Sequence, residues 1–218
     1  MNVKNITRIA LGIATVILAY FLFESIMKPQ RFETLRAQKE VEIVNRLKDI
    51  RTAQLAYRNV HGRFVGTMDS LVMFLEQGRL PSVRRTGEIP EEMSEAEALK
   101  QGFIRRDTVF TDAHSALFPD VADKVRHLTN LRFVPFSDPE NPKSIRGIKE
   151  FIIEAGFIER NNIQVPVIDV SAFLGDYMTE PEYKQLVINA VARASDINRF
   201  PGRKFGSMTD PITEGNWE

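Results

Sequence analysis

The chain opens on a long apolar stretch. From Ile9 to Phe23 fifteen residues carry no charge, and extending the stretch to Met27 gives nineteen residues with Glu24 as the charged member. A helix of nineteen residues is roughly 28 Å long, which is enough to cross the hydrocarbon layer of a membrane. We therefore predict a transmembrane anchor at 9–27, preceded by a short N-terminal tail at 1–8. The side chains predicted to face lipid are Ile9, Leu11, Ile13, Val16, Ile17, Leu18, Phe21, Leu22 and Phe23.

A cleaved signal peptide is the main alternative for this stretch. The apolar part of a signal peptide is only about 7–15 residues long and is followed by small residues at the cleavage site. The segment LAYFLFES, at 18–25, is too bulky to provide such a site. The sequence therefore favours an anchor that stays in the membrane.

A second helical pattern, over 30–62, predicts a long amphipathic helix. Pro29 is expected to interrupt the helix between the anchor and this segment. Apolar residues at spacings of three or four predict one packing face, formed by Ile43, Leu47, Ile50, Ala53, Tyr57 and Val60. This face must contact either the rest of the chain or a neighbouring copy. Three charged residues, Arg36, Lys39 and Arg46, are predicted to lie outside the core and to be available to a partner protein.

Residues 63–218 predict a soluble α+β head domain. Periodicity and capping residues predict helices at 68–78, from Ser94 to Gly102, with Ser94 and Glu97 as a capping box, and at 182–194. Strands are predicted at 103–110 and 131–136, and a hairpin at 150–159 and 163–172 with its turn at 160–162. Pro166 makes the second arm an edge strand or a bulged one. Segment 81–90 and the last two dozen residues are predicted to be loops. The expected fold is the long helix packed on a small antiparallel sheet of three to five strands.

Charge and cysteine content exclude several classes of function. Lys and Arg total 29 and Asp and Glu also total 29, so no overall excess of positive charge attracts the chain to nucleic acid or to anionic lipid. The absence of cysteine excludes disulfides, thiolate metal sites and cysteine nucleophiles. We expect no nucleic-acid partner.

Catalytic and metal-binding signatures are weak throughout the chain. His114, near Asp112 and Asp120, is the best candidate for a metal ligand, but no third ligand follows at a characteristic spacing. The glycine-rich phosphate motifs and the Gly-x-Ser-x-Gly nucleophile motif do not occur. We predict no catalytic residue, no cofactor-binding residue and no metal ligand, and we expect the protein not to be an enzyme.

Two features near the C-terminus have both an ordinary and a functional interpretation. Arg193, Arg199, Arg203 and Lys204 form a basic patch that is either a solvated face, which we prefer, or a contact for an acidic partner or for lipid headgroups. Trp217, the sole tryptophan, either pins the C-terminal tail to the head or contacts a partner.

The first third of the chain resembles type IV pilins and pseudopilins. The resemblance rests on the apolar helix, on Pro29 near its end, and on the segment AQLAYRNVHGRF at 53–64, where the amphipathic helix ends before the head. It implies a membrane helix that continues into a β-rich head. The chain lacks the Gly-Phe-Thr-Leu-Ile-Glu processing site, and Glu24 lies at the wrong end of the span, so the resemblance concerns shape rather than a filament subunit. Segments VPVIDV, FPGRKFGSM and GNWE also resemble a bacterial family of single-pass membrane proteins that brings no known activity.

These observations favour a membrane-anchored structural or accessory component of a bacterial envelope assembly, such as a secretion or pilus-like apparatus. The alternatives are a membrane-tethered ligand-binding or sensory module and a metal-dependent hydrolase that uses His114. Expected partners are the membrane and other envelope proteins or copies of the chain. More positive charges follow the span than precede it, which favours a cytoplasmic head. The short N-terminal tail and the pilin resemblance favour the inner membrane with a periplasmic head, which we prefer.

Overall fold

A single helix, α1, forms the spine of the structure. In a computed structural model, which describes residues 3–87 and 93–218, α1 runs from Val3 to His61, a length of 59 residues. At 1.5 Å per residue this helix is about 88 Å long. The interruption expected at Pro29 is wrong, because Pro29 lies inside the helix. A proline removes one backbone hydrogen bond, to the carbonyl of Ser25, and the intact turns on both sides keep the helix continuous.

The two halves of α1 have different surroundings. The half from Leu11 to Phe23 is exposed along its whole length, whereas from Phe32 onward one face is covered by the head. Of the predicted packing face, the fully buried members are Ile43, Leu47, Ile50 and Ala53. Tyr57 is half-buried and Val60 is 44% exposed. Val60 differs from the prediction because α1 ends one residue later, where the head no longer covers it.

The remaining elements are short and build the head. The helices are α2 (Met68–Gln77), α3 (Glu95–Lys100), α4 (Ala113–Leu117), α5 (Lys124–Arg132), α6 (Leu174–Tyr177) and α7 (Lys184–Asp196), with a 3-10 turn at Pro181–Tyr183. The strands are β1 (Arg79–Gly87), β2 (Ile104–Asp112), β3 (Ile152–Arg160), β4 (Ile163–Phe173) and β5 (Gly202–Ser207). The predicted capping box is confirmed, because Ser94 N donates to Glu97 Oε2 at 3.3 Å and Glu97 N donates to Ser94 Oγ at 3.4 Å.

The described strands form two separate antiparallel sheets. β1 pairs with β2 as a two-stranded ribbon, and β3, β4 and β5 form a three-stranded sheet in that order. The loop expected at 81–90 is wrong up to Gly87, since pairing with β2 satisfies this backbone despite its Pro and Gly; residues 88–90 lie outside the described part. The strand expected at 131–136 is also wrong: α5 extends to Arg132, and Phe133 forms an isolated bridge with Glu150.

The hairpin of β3 and β4 is confirmed. Its two-residue turn is Asn161-Asn162, with φ values of 52° and 63°, and asparagine tolerates this left-handed conformation better than most residues. β4 is nevertheless the central strand, because residues 202–207, expected as a loop, form β5. Pro166 pairs with Phe157 of β3 and lies outside the part of β4 that pairs with β5. The proline is therefore at a local edge.

The hydrophobic core lies between α1 and the elements of the head. Large side chains with almost no exposure include Phe32, Leu71, Leu75, Leu131, Ile168, Leu174, Tyr177 and Phe205. Buried Gln54 fixes the chain after α1, because its side-chain amide donates to the carbonyl of Val65 at 2.8 Å and accepts from Val65 N at 2.9 Å. The fold is α+β, with one long N-terminal helix and small antiparallel sheets.

Candidate functional site

The predicted anchor residues lie on a segment of α1 that the rest of the protein does not cover. Every member of that set except Ile9 is exposed, and the side chain of Ile9 lies outside those that the structure describes. The most apolar 18-residue window of α1 has 0% of its residues buried in the protein. By length and composition the helix can cross a membrane.

Just beyond the anchor, Glu40 forms the centre of a buried charge network. Its Oε1 accepts from Arg36 Nε at 2.9 Å and from the hydroxyl of Tyr177 at 2.9 Å, and its Oε2 accepts from Arg203 Nη2 at 2.5 Å. Burial raises the pKa of Glu40, but the hydrogen bonds from the two guanidinium groups outweigh burial and hold that pKa below its ordinary value. Burial, with the adjacent Glu40 carboxylate, raises the pKa of Tyr177. The network joins α1 to α6 and β5.

Lys39 forms a second connection between α1 and the head. Its ammonium donates to the carbonyl of Tyr177 at 2.8 Å, pairs with Glu180 at 2.5 Å and lies 5.2 Å from the ring centroid of Phe136. The side chain is 4% exposed. Lys39 is therefore part of the core rather than of a free surface.

Arg46 connects α1 to the end of α5 and to the long loop between α5 and β3. Its Nη1 donates to the carbonyls of Asn130 and Phe133 at 2.6 and 2.7 Å, and its Nη2 donates to the carbonyl of Ile145 at 2.6 Å. The residue is 5% exposed, and burial lowers its pKa although Glu42 opposes that effect. Three carbonyl dipoles thus take the place of water around a buried cation.

The expectation that Arg36, Lys39 and Arg46 lie outside the core is wrong for Lys39 and Arg46. Arg36 is half-buried and paired with Glu40 and Glu33. The spacing could have revealed the error, because Lys39 lies four residues before Ile43 and Arg46 three residues after it. Both positions belong to the buried stripe of the helix, and each cation finds its acceptors in the head.

The predicted basic patch lines a pocket beside this network. Arg193 on α7, Arg199 in the following turn, and Arg203 and Lys204 on β5 surround a surface pocket of about 590 Å³. Arg36 of α1, which the sequence pattern did not assign to the patch, contributes a fifth cation. Two of the five, Arg36 and Arg203, are held by Glu40, and Lys204 pairs with Asp169 at 2.5 Å.

His114 lies in a chain of polar contacts rather than among metal ligands. Its Nε2 lies 3.0 Å from His127 Nδ1, and His127 Nε2 lies 3.5 Å from Asp49 Oδ2. Burial, together with the neighbouring His127, lowers the pKa of His114. Asp112 instead caps α4 through Ser115 and pairs with Lys124, and these contacts lower the pKa of Asp112 to about 2. Residues 3–87 and 93–218 contain no group of three His, Asp or Glu side chains that could hold a metal ion.

Trp217 packs against the core, and the last residues are tied to α1 and β5. Arg51 lies over its indole ring at 5.9 Å and pairs with Glu218 at 2.6 Å. Asn216 donates to the carbonyl of Gly202 at 2.9 Å, and Gly215 forms a bridge with Phe205. These contacts correspond to the interpretation in which the tryptophan pins the tail.

The arrangement of charges around the pocket can bind anions. The charged side chains around the pocket are four guanidinium groups, one ammonium group and the carboxylate of Glu33, so cations, which attract anions, predominate. Comparison of the chain with protein-family models, with curated proteins and with solved structures finds no match.

Proposed function

We propose that this chain is a non-enzymatic, membrane-anchored structural or accessory component of a bacterial envelope assembly of the secretion or pilus-like kind. The observation that carries the proposal is the continuity of α1, since one helix supplies both an exposed apolar half and the spine of the head. In this role the span holds the chain in the inner membrane and the head faces the periplasm. The partners are other envelope proteins or copies of the chain.

Contacts near the end of the span hold the head in a fixed position relative to the anchor. Phe32, five residues beyond the end of the span, is already buried against Tyr183, with the ring centroids 5.7 Å apart. Five residues correspond to about 8 Å of helix, so the head begins close to the membrane surface. Lys39 and Glu40 then join α1 to the rest of the head. A head at a fixed distance from the membrane suits a component that presents a contact surface to its neighbours.

Exposed apolar side chains on the β1–β2 ribbon are candidates for that contact surface. Phe103, just before β2, and Phe110, within it, are more than half exposed, and Val109, on the opposite face of β2 from Phe110, is 43% exposed. Exposed aromatic side chains are enriched at protein interfaces, because they bury a large area when a partner covers them. With Lys39 and Arg46 buried, this ribbon replaces them as the expected site of partner contact.

A tethered ligand-binding module is the second candidate function. The specific observation in its favour is the pocket of about 590 Å³, because that volume lies within the range of small-molecule sites, about 300–1,000 Å³. The two functions are compatible, since a ligand in the pocket would lie beside the junction between α1 and the head.

Changing Ile17 and Leu18 to lysine together is expected to release the chain from the membrane. A lysine at the centre of a spanning helix costs about 2.5–3.5 kcal/mol of insertion free energy, so the pair costs about 5–7 kcal/mol. In carbonate extraction the wild-type chain stays in the membrane pellet and the double variant moves to the supernatant. The matched control is Val41→Lys with Asn45→Lys, at exposed positions of α1 beyond the span. A wild-type chain in the supernatant would refute the anchor.

The assembly itself is tested by affinity purification of the full chain from its native membranes in a mild non-ionic detergent after brief cross-linking. We expect defined envelope proteins, or further copies of the chain, to co-purify. Phe103→Ser with Phe110→Ser is expected to lower their recovery at least fivefold while the chain stays membrane-bound. Ile145→Ser with Ile148→Ser, two exposed positions in the loop before β3, is the matched control. Recovery of the chain alone contradicts the proposal.

A further inference from the structure

The basic pocket is built from segments that are distant in the sequence. α1 supplies Glu33 and Arg36, α7 supplies Arg193, and the segment from Arg199 to Lys204 closes the remaining side. Arg36 and Arg203 are oriented by the same carboxylate, Glu40, which is itself buried. Guanidinium groups held in place by a buried partner lose less conformational entropy when they bind a ligand than free surface arginines do.

Positive charge in the pocket exceeds negative charge. Three carboxylates lie against the five cations: Glu33 and Glu40 beside Arg36, Glu40 beside Arg203, and Asp169 beside Lys204. Arg193 and Arg199 have no acidic partner in the described part of the chain, and both are exposed. The pocket therefore carries two uncompensated guanidinium groups next to three cations, two guanidinium groups and one ammonium, that are already paired with carboxylates.

The pocket also has an apolar wall. Ile197, 61% exposed, and Phe200 line it, and Phe200 packs on Phe173 with ring centroids 4.8 Å apart. A wall of this kind beside a group of arginines suits a phosphate ester better than a bare inorganic anion, because the ester carries an apolar substituent. Arginine binds phosphate oxygens through two parallel N–H donors.

The position of the pocket along α1 adds to this chemistry, and this step rests on the proposed anchor. Glu33 and Arg36 lie six and nine residues beyond Met27, which corresponds to about 9–14 Å of helix. The headgroup layer of one leaflet is about 5–8 Å thick. These lengths place the pocket just outside the headgroup layer, next to the lipid phosphates.

We propose that this pocket is a binding site for a phosphate group, supplied either by an anionic phospholipid headgroup or by a soluble phosphate compound. Arg193 and Arg199 are the groups that the phosphate neutralises, Arg36 and Arg203 are positioned by Glu40 to donate further hydrogen bonds, and the Ile197–Phe200 wall receives the apolar part of the ligand.

The test titrates the purified full chain, in non-ionic detergent micelles, with three probes by isothermal calorimetry. The probes are dihexanoyl phosphatidylglycerol, dihexanoyl phosphatidylcholine and inorganic phosphate. We expect saturable binding of phosphatidylglycerol, at least tenfold tighter than that of phosphatidylcholine, whose own ammonium neutralises its phosphate. Arg193→Gln with Arg199→Gln is expected to weaken binding at least tenfold. The matched control is Arg63→Gln with Arg105→Gln, which removes the same charge from exposed positions outside the pocket and should stay within twofold of wild type.

The outcomes separate the two sources of phosphate. Tighter binding of phosphatidylglycerol than of inorganic phosphate identifies the lipid headgroup, whereas inorganic phosphate binding at least as tightly identifies a soluble ligand. The site is refuted if no probe binds saturably, if phosphatidylcholine binds as tightly as the tighter of the other two probes, or if the control pair weakens binding as much as the pocket pair. Binding of inorganic phosphate does not require a membrane, so its result stands apart from the carbonate extraction that tests the anchor.

Discussion

Replacing Arg46 with alanine is expected to lower the free energy of unfolding by about 3–5 kcal/mol. The side chain supplies hydrogen bonds to the carbonyls of Asn130, Phe133 and Ile145, and alanine leaves all three without that donor. Leaving one buried acceptor unpaired costs about 1–3 kcal/mol. Removing the guanidinium also removes the free-energy penalty of its desolvation, which offsets part of the destabilisation. Three lost hydrogen bonds outweigh that offset.

Arg46→Lys should recover less than half of the loss. A lysine keeps the charge, but a single ammonium cannot reproduce the fork of two guanidinium nitrogens that reaches carbonyls on both sides of the loop. Because two of the carbonyls bonded by Arg46, those of Phe133 and Ile145, belong to the loop at 133–150, we also expect a local effect on this loop. Residues 133–150 have little regular structure and are held by contacts such as Val134 N to the carbonyl of Lys149, at 2.6 Å. Without Arg46 this loop opens first.

The measurements are urea unfolding of the full chain in micelles, followed by Trp217 fluorescence, and amide hydrogen exchange. Exchange should accelerate at residues 133–150 before it changes in β4. Lys48→Ala is the charge-matched control, because Lys48 is exposed on the same helix two residues away, and its effect should stay within about 0.5 kcal/mol. Equal losses for the two variants would show that Arg46 does not hold the loop.

Some parts of this fold could be predicted because local pattern alone determines them. Fifteen uncharged residues from Ile9 to Phe23 have few structural alternatives to a long apolar helix. The β3–β4 hairpin is determined by two apolar runs around Asn161-Asn162, residues that both adopt positive φ. The capping box at Ser94 likewise depends on residues within one turn.

Other parts depend on contacts between segments that are distant in the sequence. β5 follows a proline and contains two glycines, which indicates a loop, yet β4 provides a partner for its backbone. Segment 81–87 forms a strand for the same reason, by pairing with β2. In both segments the backbone hydrogen bonds to the neighbouring strand outweigh the low intrinsic strand propensity of proline and glycine.

The charged residues of α1 also show that local sequence pattern does not predict contacts between distant segments. Lys39 and Arg46 were interpreted as surface groups because basic side chains usually lie outside the core. The helical spacing indicates that both residues are buried, but it does not reveal their acceptors, which include backbone carbonyls more than 80 residues away and, for Lys39, the carboxylate of Glu180. The pocket was predicted in part: four of its cations were recognised as a patch, and the fifth, Arg36, joins them through the packing of α7 and β5 on α1.

Glu40→Gln is expected to destabilise the fold by about 2–4 kcal/mol at neutral pH. The glutamine keeps the shape and one hydrogen-bond acceptor for Tyr177, but it leaves Arg36 and Arg203 without the carboxylate that both contact. The lower end of the range reflects the partial exposure of both guanidinium groups, where water replaces some of the lost interaction. Glu33→Gln is the control. Glu33 is exposed, lies 3.6 Å from the same Arg36, and should contribute less than about 0.5 kcal/mol.

The same variant should have a distinct dependence on pH. The pKa of Glu40 is lowered in the folded chain relative to its ordinary value of 4.5, so the unfolded chain takes up the proton first as the pH falls. The stability that Glu40 contributes is therefore complete above about pH 4.5 and is lost as the pH falls through the folded-state pKa. Glutamine does not titrate in this pH range, so the difference in unfolding free energy between wild type and Glu40→Gln should shrink below pH 4.5. Urea unfolding of both proteins at pH 7, 5 and 3.5 measures this difference in unfolding free energy. A difference that stays constant or grows on acidification would contradict the stabilising role assigned to the negative charge of Glu40.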